Sequence, residues 1–203
     1  MNVRLTKEQK IKVLNSEDVF SIMQQILMRE NKIGRDKEHF WIIGLSVKNR
    51  ILFIELISLG TVSMSLVHPM EVFSFALQKR AVNLILVHNH PSGELEPSLQ
   101  DKDITDRLLQ NSLFLEVPII DHLIISETAY YSFTDSGLLN ELRKSKKYVT
   151  PYQQEEDRLR NEGLEKGKKA KAIEMAKAMK HKGIDHSIIK EISGLTSKEI
   201  QEL

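Results

Sequence analysis

The chain has 203 residues, of which 41% are hydrophobic and 28% charged, a composition typical of a globular protein long enough to bury a core. It contains no cysteine, which excludes disulfides, iron–sulfur clusters and cysteine-based zinc sites, so any metal must be bound by His, Asp or Glu. Its apolar runs are far shorter than the roughly 20 residues that span a bilayer, and no secretory signal opens the sequence. We therefore expect a cytoplasmic protein with no membrane partner.

The formal net charge of +1 conceals an uneven distribution along the chain. Residues 1–140 carry 14 Lys and Arg against 17 Asp and Glu, whereas residues 141–182 carry 13 against 7. Basic charge is therefore concentrated in the C-terminal part. Any surface that binds nucleic acid is expected there.

The first two thirds of the chain alternate between helical and strand-like patterns. Ser16 is predicted to cap a helix over residues 16–30, whose apolar residues recur at helical spacing. Later elements are predicted in the order strands 39–45, 51–57 and 60–67, helix 69–80, strand 81–88, helix 98–111, and strands 117–125 and 129–134. The first two strands are expected to form an antiparallel hairpin. The whole order predicts an α/β fold in which helices pack on a mixed sheet.

The last third of the chain reads as helical throughout. Its longest segment is rich in Glu, Lys and Ala and has only a narrow apolar stripe, which is typical of a solvated helix. The end of the chain has a helix-turn-helix outline. The predicted features are, in order, helix 137–146, a break at Thr150-Pro151, helix 153–182, a short helix capped by Asp185, and a last helix that begins with the capping box Thr196-x-x-Glu199.

The stretch HNHPSGELEPSLQD, residues 88–101, concentrates the groups that can carry chemistry. His88 and His90 point to the same face at the end of a strand, because side chains alternate along it, so the two imidazoles can share one ion. The following turn can return Asp101 to them. Three protein ligands would leave a fourth position for water, as a catalytic zinc site requires. Alone, Ser98-x-x-Asp101 is more simply a helix-capping pattern.

Glu38 together with His88-x-His90-x₇-Ser98-x₂-Asp101 resembles the JAMM motif of the JAB/MPN metallopeptidases in every position. Further segments resemble the RadC branch of that superfamily, and the similarity covers about residues 16–140. These segments are Gly60-Thr61, His68-Pro69, His88-Asn-His-Pro-Ser-Gly93, Asp121-His122 and Tyr131-Ser-Phe133. The resemblance predicts a JAB/MPN domain over residues 1–145 and a separate basic helical tail over residues 146–203.

The resemblance implies a cytidine-deaminase-like three-layer core, one Zn²⁺ per chain and hydrolysis of a peptide or isopeptide bond in a peptide or protein substrate. It implies that zinc-bound water attacks with the help of a glutamate. Carried over by position, the zinc ligands are His88, His90 and Asp101, the oxyanion donor is Ser98 and the base is Glu38. We expect no helix-hairpin-helix segment like that of full-length RadC proteins, which weakens an inherited role in DNA repair.

Several of these residues allow another interpretation. Glu55, on an adjacent strand, is the base that would be chosen without the resemblance. The letters of His88-Asn89-His90 also spell the name of the HNH nucleases, but the residues that follow fit JAMM instead. His122 could orient a neighbouring ligand, although a histidine bonded by backbone groups is the favoured reading. The remaining histidines are read as structural or surface residues: His39, His68, His181 and His186.

Residues 162–203 resemble, more loosely, the C-terminal tails of mobile-element-associated bacterial proteins. The basic helix could bind phosphates and the last helix could approach bases. A small helical bundle or a self-association module is the favoured alternative, because residues 197–203 are acidic. The rival to a hydrolase is therefore an accessory protein that binds nucleic acid and keeps a structural or vestigial zinc site.

Overall fold

The computed structural model describes residues 12–60 and 67–203, and the chain divides into two units at Tyr148/Val149. Most of the strand predicted over residues 60–67 lies outside the described residues. The described elements of the first unit are helices α1 (Ser16–Leu27), α2 (Lys32–Arg35), α3 (Pro69–Gln78), α4 (Leu99–Phe114) and α5 (Leu138–Leu142), and strands β1 (Glu38–Leu45), β2 (Ile51–Gly60), β3 (Asn83–Asn89), β4 (Ile119–Ile125) and β5 (Tyr130–Ser132).

The five strands form one mixed sheet in the order β2-β1-β3-β4-β5. β1 pairs antiparallel with both β2 and β3, β3 and β4 are parallel, and β5 returns antiparallel to β4. The predicted hairpin of the first two strands is confirmed. The central strand β3 is almost wholly buried, as expected for a strand covered on both faces.

Each face of the sheet has its own hydrophobic core, so the unit has three layers. One core joins the sheet to α3, α4 and α5 and contains the side chains of Phe40, Leu86 and Ile124. The other core lies under α1 and contains Trp41 and Val87. Neighbouring residues of one strand therefore serve opposite layers. The predicted mixed-sheet α/β fold is confirmed.

The start of α1 differs from the prediction by one residue. Asn15, not Ser16, is the N-cap, and its side chain accepts the N–H of Asp18. The Ser16 hydroxyl instead donates to Asp121 Oδ2 at 3.2 Å. The same oxygen accepts the hydroxyl of Ser132 at 2.7 Å, so a buried carboxylate ties α1 to β4 and β5.

The second unit consists of helices α6 (Pro151–His181), α7 (His186–Ser193) and α8 (Ser197–Gln201). Its core is small: the buried members are Ala176, Ile189, Leu195 and Ile200. Two of the lysines of α6 bond to residues of α8. Lys169 pairs with Glu199 at 2.6 Å, and the Lys180 ammonium donates to the carbonyl of Ile200 at 3.1 Å. In the described part of the chain, none of the helices has both the length and the apolar composition needed to cross a lipid bilayer.

Candidate metal centre

The end of the central strand carries two histidines that face the same layer. His88 is fully buried in β3, and His90 follows the last residue of the strand and is half-buried. Their Nε2 atoms lie 2.9 Å apart. The other ring nitrogen of His90, Nδ1, lies 2.6 Å from the carbonyl oxygen of Glu94. Because a carbonyl can only accept, Nδ1 carries the proton and Nε2 of the neutral ring has a lone pair.

The first turn of α4 brings a carboxylate to the same point. Ser98 is the N-cap of α4, and its hydroxyl oxygen accepts the N–H of Asp101 at 3.1 Å. In return Asp101 Oδ2 accepts the N–H of Ser98 at 2.7 Å. This capping box fixes the rotamer of Asp101, because one carboxylate oxygen is held by the backbone. The capping box predicted from Ser98-x-x-Asp101 is therefore confirmed, and it brings the Asp101 carboxylate next to the two histidines.

His88, His90 and Asp101 form a group that could hold one metal ion. Asp101 Oδ1 lies 3.0 Å from His88 Nε2, and Asp101 Oδ2 lies 3.5 Å from His90 Nε2. One ligand atom from each residue lies within 4.8 Å of the others. A tetrahedral zinc ion with bonds of 2.0–2.2 Å separates its ligand atoms by roughly 3.3 Å, so the spacing and the two-nitrogen, one-carboxylate donor set fit such an ion.

The electrostatics of the group are those of a site prepared for a cation. The hydrogen bond to Asp101 raises the pKa of His90, whereas burial lowers the pKa of His88. Burial would raise the pKa of Asp101, but the contacts of its carboxylate with His88 and His90 outweigh burial and hold that pKa well below its usual range. Asp101 therefore stays a carboxylate, and with both rings neutral it leaves a negative charge that a bound cation would neutralise.

Glu38 stands at the rim of this group, at the first residue of β1. Phe40 pairs with His88 in the sheet, which places Glu38 opposite His90 on the same face. Burial raises the pKa of Glu38, and the charges of His90 and Asp101 act on it in opposite directions.

Asn89 holds the backbone on both sides of Glu38, a contact that sequence reasoning missed. The His39 N–H donates to Asn89 Oδ1 at 2.8 Å, and the Asn89 carboxamide donates to the carbonyl of Lys37 at 3.0 Å. Asn89 lies between the two histidines, and its side chain points away from the metal group because side chains alternate along a strand. It thereby fixes the position of the glutamate relative to that group.

The structure also places His122 and Thr105 behind His88. His122 Nε2 lies 2.8 Å from His88 Nδ1, and His122 Nδ1 lies 2.7 Å from the hydroxyl of Thr105. The expectation that backbone groups satisfy the His122 ring is wrong. The contact agrees with the alternative considered from the sequence, in which His122 orients a neighbouring ligand. Thr105, within a helix, gave no signal.

The remaining candidates lie elsewhere. Glu55 is buried in β2 opposite Ile42, four residues further along β1 than Glu38. His39 is a structural residue, as predicted: its ring stacks on Trp41 with centroids 4.8 Å apart. A cavity of about 220 Å³ lies beside His90, and its lining includes Pro91, Gly93, Ser126, Thr128 and Ala129.

The unit is thus a three-layer α/β domain on a mixed sheet, and where its central strand ends it has a His-His-Asp group that could hold a metal ion. The chain belongs to the RadC-like JAB domain family, whose model matches residues 13–138. This confirms the family resemblance read from the sequence.

The relatives that the chain resembles include UPF0758 proteins of three organisms. It is 40% identical to that of Chlorobium chlorochromatii over 141 residues, covering 68% of this chain and 61% of the relative. It is 43% identical to that of Pelodictyon phaeoclathratiforme over 128 residues, covering 63% and 55%. It is 39% identical to UPF0758 protein Mbar_A2303 of Methanosarcina barkeri over 133 residues, covering 66% and 56%. The chain thus spans less than two thirds of the length of these relatives.

Proposed function

We propose that the protein is a JAMM-type zinc metallohydrolase that cleaves a peptide or isopeptide bond. The observation that carries the proposal is the convergence of His88, His90 and Asp101 on one point, with Glu38 at its rim. Three protein ligands leave one coordination position for water or substrate, which is the arrangement of catalytic rather than structural zinc sites.

Zinc is the metal best suited to this donor set. Imidazole nitrogens suit zinc better than magnesium or calcium, which prefer sites made of oxygen ligands. When bound, the ion would supply a water whose pKa is lowered to about 7 and would polarise the scissile carbonyl.

The side chains around the group would carry the proton transfers. The Glu38 carboxylate would accept a proton from the attacking water as its oxygen bonds to the carbonyl carbon. It would then deliver that proton to the amide nitrogen as the C–N bond breaks. Its raised pKa suits a group that must both accept and return a proton.

Ser98 is suited to stabilise the oxyanion. Its hydroxyl oxygen accepts the N–H of Asp101 in the capping box, and its hydroxyl proton lies close to the Asp101 carboxylate. Once that carboxylate is bound to a metal ion, the proton could turn to the substrate oxygen as negative charge develops. The cavity beside His90 is large enough for one side chain of the substrate, and we propose it as a subsite.

The test begins with metal content, measured by elemental mass spectrometry on protein purified without an affinity tag. We expect one zinc per chain in the wild type and none in the His88→Ala/His90→Ala variant. A wild type that neither holds nor acquires zinc would overturn the proposal.

Turnover is then tested with fluorogenic peptide libraries and an isopeptide-linked substrate. Glu38→Gln is expected to keep its zinc and lose hydrolysis. Glu96→Gln, the same change at an exposed position, is the matched control and should retain both. Hydrolysis that persists in Glu38→Gln would exclude Glu38 as the base.

A further inference from the structure

A continuous chain of hydrogen bonds leads from α4 to the buried ligand nitrogen of His88. The Thr105 hydroxyl donates to the carbonyl oxygen of Asp101 at 2.5 Å. His122 Nδ1 lies 2.7 Å from the same hydroxyl, and His122 Nε2 lies 2.8 Å from His88 Nδ1. This hydrogen-bond relay thus begins at the backbone carbonyl of Asp101 and ends at the ring of His88, and both residues belong to the metal group.

The positions of the protons along this chain follow from its first member. A carbonyl oxygen can only accept, so the single hydroxyl proton of Thr105 points to Asp101. The hydroxyl must then accept from His122, which places a proton on His122 Nδ1. With its proton on Nδ1, the neutral His122 ring has a lone pair on Nε2, which lies 2.8 Å from His88 Nδ1 and accepts its N–H. His88 is left with a proton on Nδ1 and a lone pair on Nε2.

This is the tautomer that a metal ligand needs at this position. The Nε2 lone pair of His88 lies on the side of the ring that faces His90 Nε2 at 2.9 Å and Asp101 Oδ1 at 3.0 Å. Aromatic side chains pack against the relay. The ring centroids of Phe40 and Phe133 lie 5.7 Å and 4.6 Å from the ring centroid of His122.

We propose that Thr105 and His122 are positioning residues that fix the tautomer and orientation of His88 and so raise the affinity of the site for its metal. This inference rests on the proposed function, because it assigns a role toward the same metal. It adds two residues that the HxH…Asp spacing does not contain. Because Thr105 also contacts the Asp101 carbonyl, the relay couples the orientation of His88 to the turn of helix that carries the third ligand.

The test compares two substitutions of Thr105 that change its hydroxyl and its methyl group separately. Thr105→Val keeps the branched shape and removes the hydroxyl, whereas Thr105→Ser keeps the hydroxyl and removes the methyl. Zinc affinity is measured by competition with a chromogenic chelator. We expect Kd to rise about 10- to 100-fold in Thr105→Val, the usual effect of losing a partner of a metal ligand. Thr105→Ser should stay within a few-fold of wild type.

A matched control and a second measurement separate this role from a general effect on folding. Thr134→Val makes the same change at an exposed threonine outside the relay and should leave Kd unchanged. Histidine tautomers are read from long-range ¹H–¹⁵N spectra of the metal-free wild type, where His88 and His122 should both be protonated at Nδ1.

The possible outcomes distinguish this inference from the proposed function. A wild type that binds no zinc counts against the hydrolase, and the tautomer spectra of the metal-free protein still decide the relay. Zinc binding with equal Kd in wild type and Thr105→Val would overturn the relay alone, as would a proton on His88 Nε2. If Thr105→Val does not fold, the relay is decided by the tautomer spectra of the wild type and by the Kd of Thr105→Ser. A Kd of Thr105→Ser far above that of the wild type would mean that Thr105 acts through the packing of its methyl group, and would overturn the relay.

Discussion

Gly44 is the position in β1 where the smallest possible substitution should have the largest effect on folding. Gly44 pairs with Phe53 of β2, and the Phe53 ring lies directly over the glycine. A Cβ at residue 44 would approach the Cε1, Cζ and Cδ1 atoms of that ring to 2.1, 2.5 and 2.7 Å. Real Cβ atoms do not tolerate such distances, so Gly44→Ala requires the ring or the strand to move.

The ring cannot move cheaply, because Phe53 is 3% exposed and belongs to the core between the sheet and α3, α4 and α5. Overpacking of a well-packed core by a single carbon costs about 1–3 kcal/mol. For a chain of this size each kcal/mol lowers Tm by about 2–4 °C. We expect Gly44→Ala to lower the free energy of unfolding within that range, measured by urea denaturation of the metal-free protein.

The double variant Gly44→Ala/Phe53→Leu tests the cause of this effect. Phe53→Leu alone destabilises the core because it removes buried ring atoms. It also removes the two atoms that the new Cβ would meet most closely, so the double variant should be less destabilised than the two single effects together by at least about 0.5 kcal/mol. Additive effects, or a Gly44→Ala variant as stable as the wild type, would refute the steric argument.

Four further predictions concern the site and the tail. Ser98→Ala should lower the free energy of unfolding by about 1 kcal/mol and Ser98→Gly by only a few tenths, whereas both should lower turnover by about 10²- to 10³-fold. If Ser98→Gly instead keeps most of its turnover as it keeps most of its stability, the hydroxyl serves only as a helix cap. The hydrogen bond to Asp101 raises the pKa of His90, and zinc must displace one proton when it binds to the protonated ring. The Kd for zinc should therefore rise about tenfold for each pH unit below that pKa. A hundredfold rise per pH unit would mean that two protons are displaced and would contradict this account. Asn89→Ala should lower turnover by releasing the backbone around Glu38, with zinc content still at one per chain by elemental analysis. Deletion of residues 150–203 should leave duplex DNA binding unchanged in fluorescence anisotropy, because the last helix is acidic and two lysines of α6 bond to it. A salt-dependent loss of binding would assign the tail to nucleic acid.

Local patterns were sufficient to predict the parts of the site that lie close together in the sequence. The alternation of a strand places His88 and His90 on one face, and a capping box places Asp101 in the first turn of a helix. The same reasoning failed at the start of α1, where Asn15 and Ser16 are both good caps and propensity does not separate them. A tertiary contact determines which residue caps the helix, because the Ser16 hydroxyl donates to Asp121 and Asn15 is left as the N-cap.

The partners of His88 and Glu38 could not be predicted because they depend on the register between elements. His122 reaches His88 because parallel β4 pairs Leu86 with His122, and a shift of one residue would turn the imidazole to the opposite face. That register is set by the packing of two hydrophobic cores, not by a pattern within β4. The residues that define the metal group are local in sequence, whereas those that fix its geometry come from other elements. Substitutions of the second kind should therefore alter affinity and rate in a folded protein without removing the metal group.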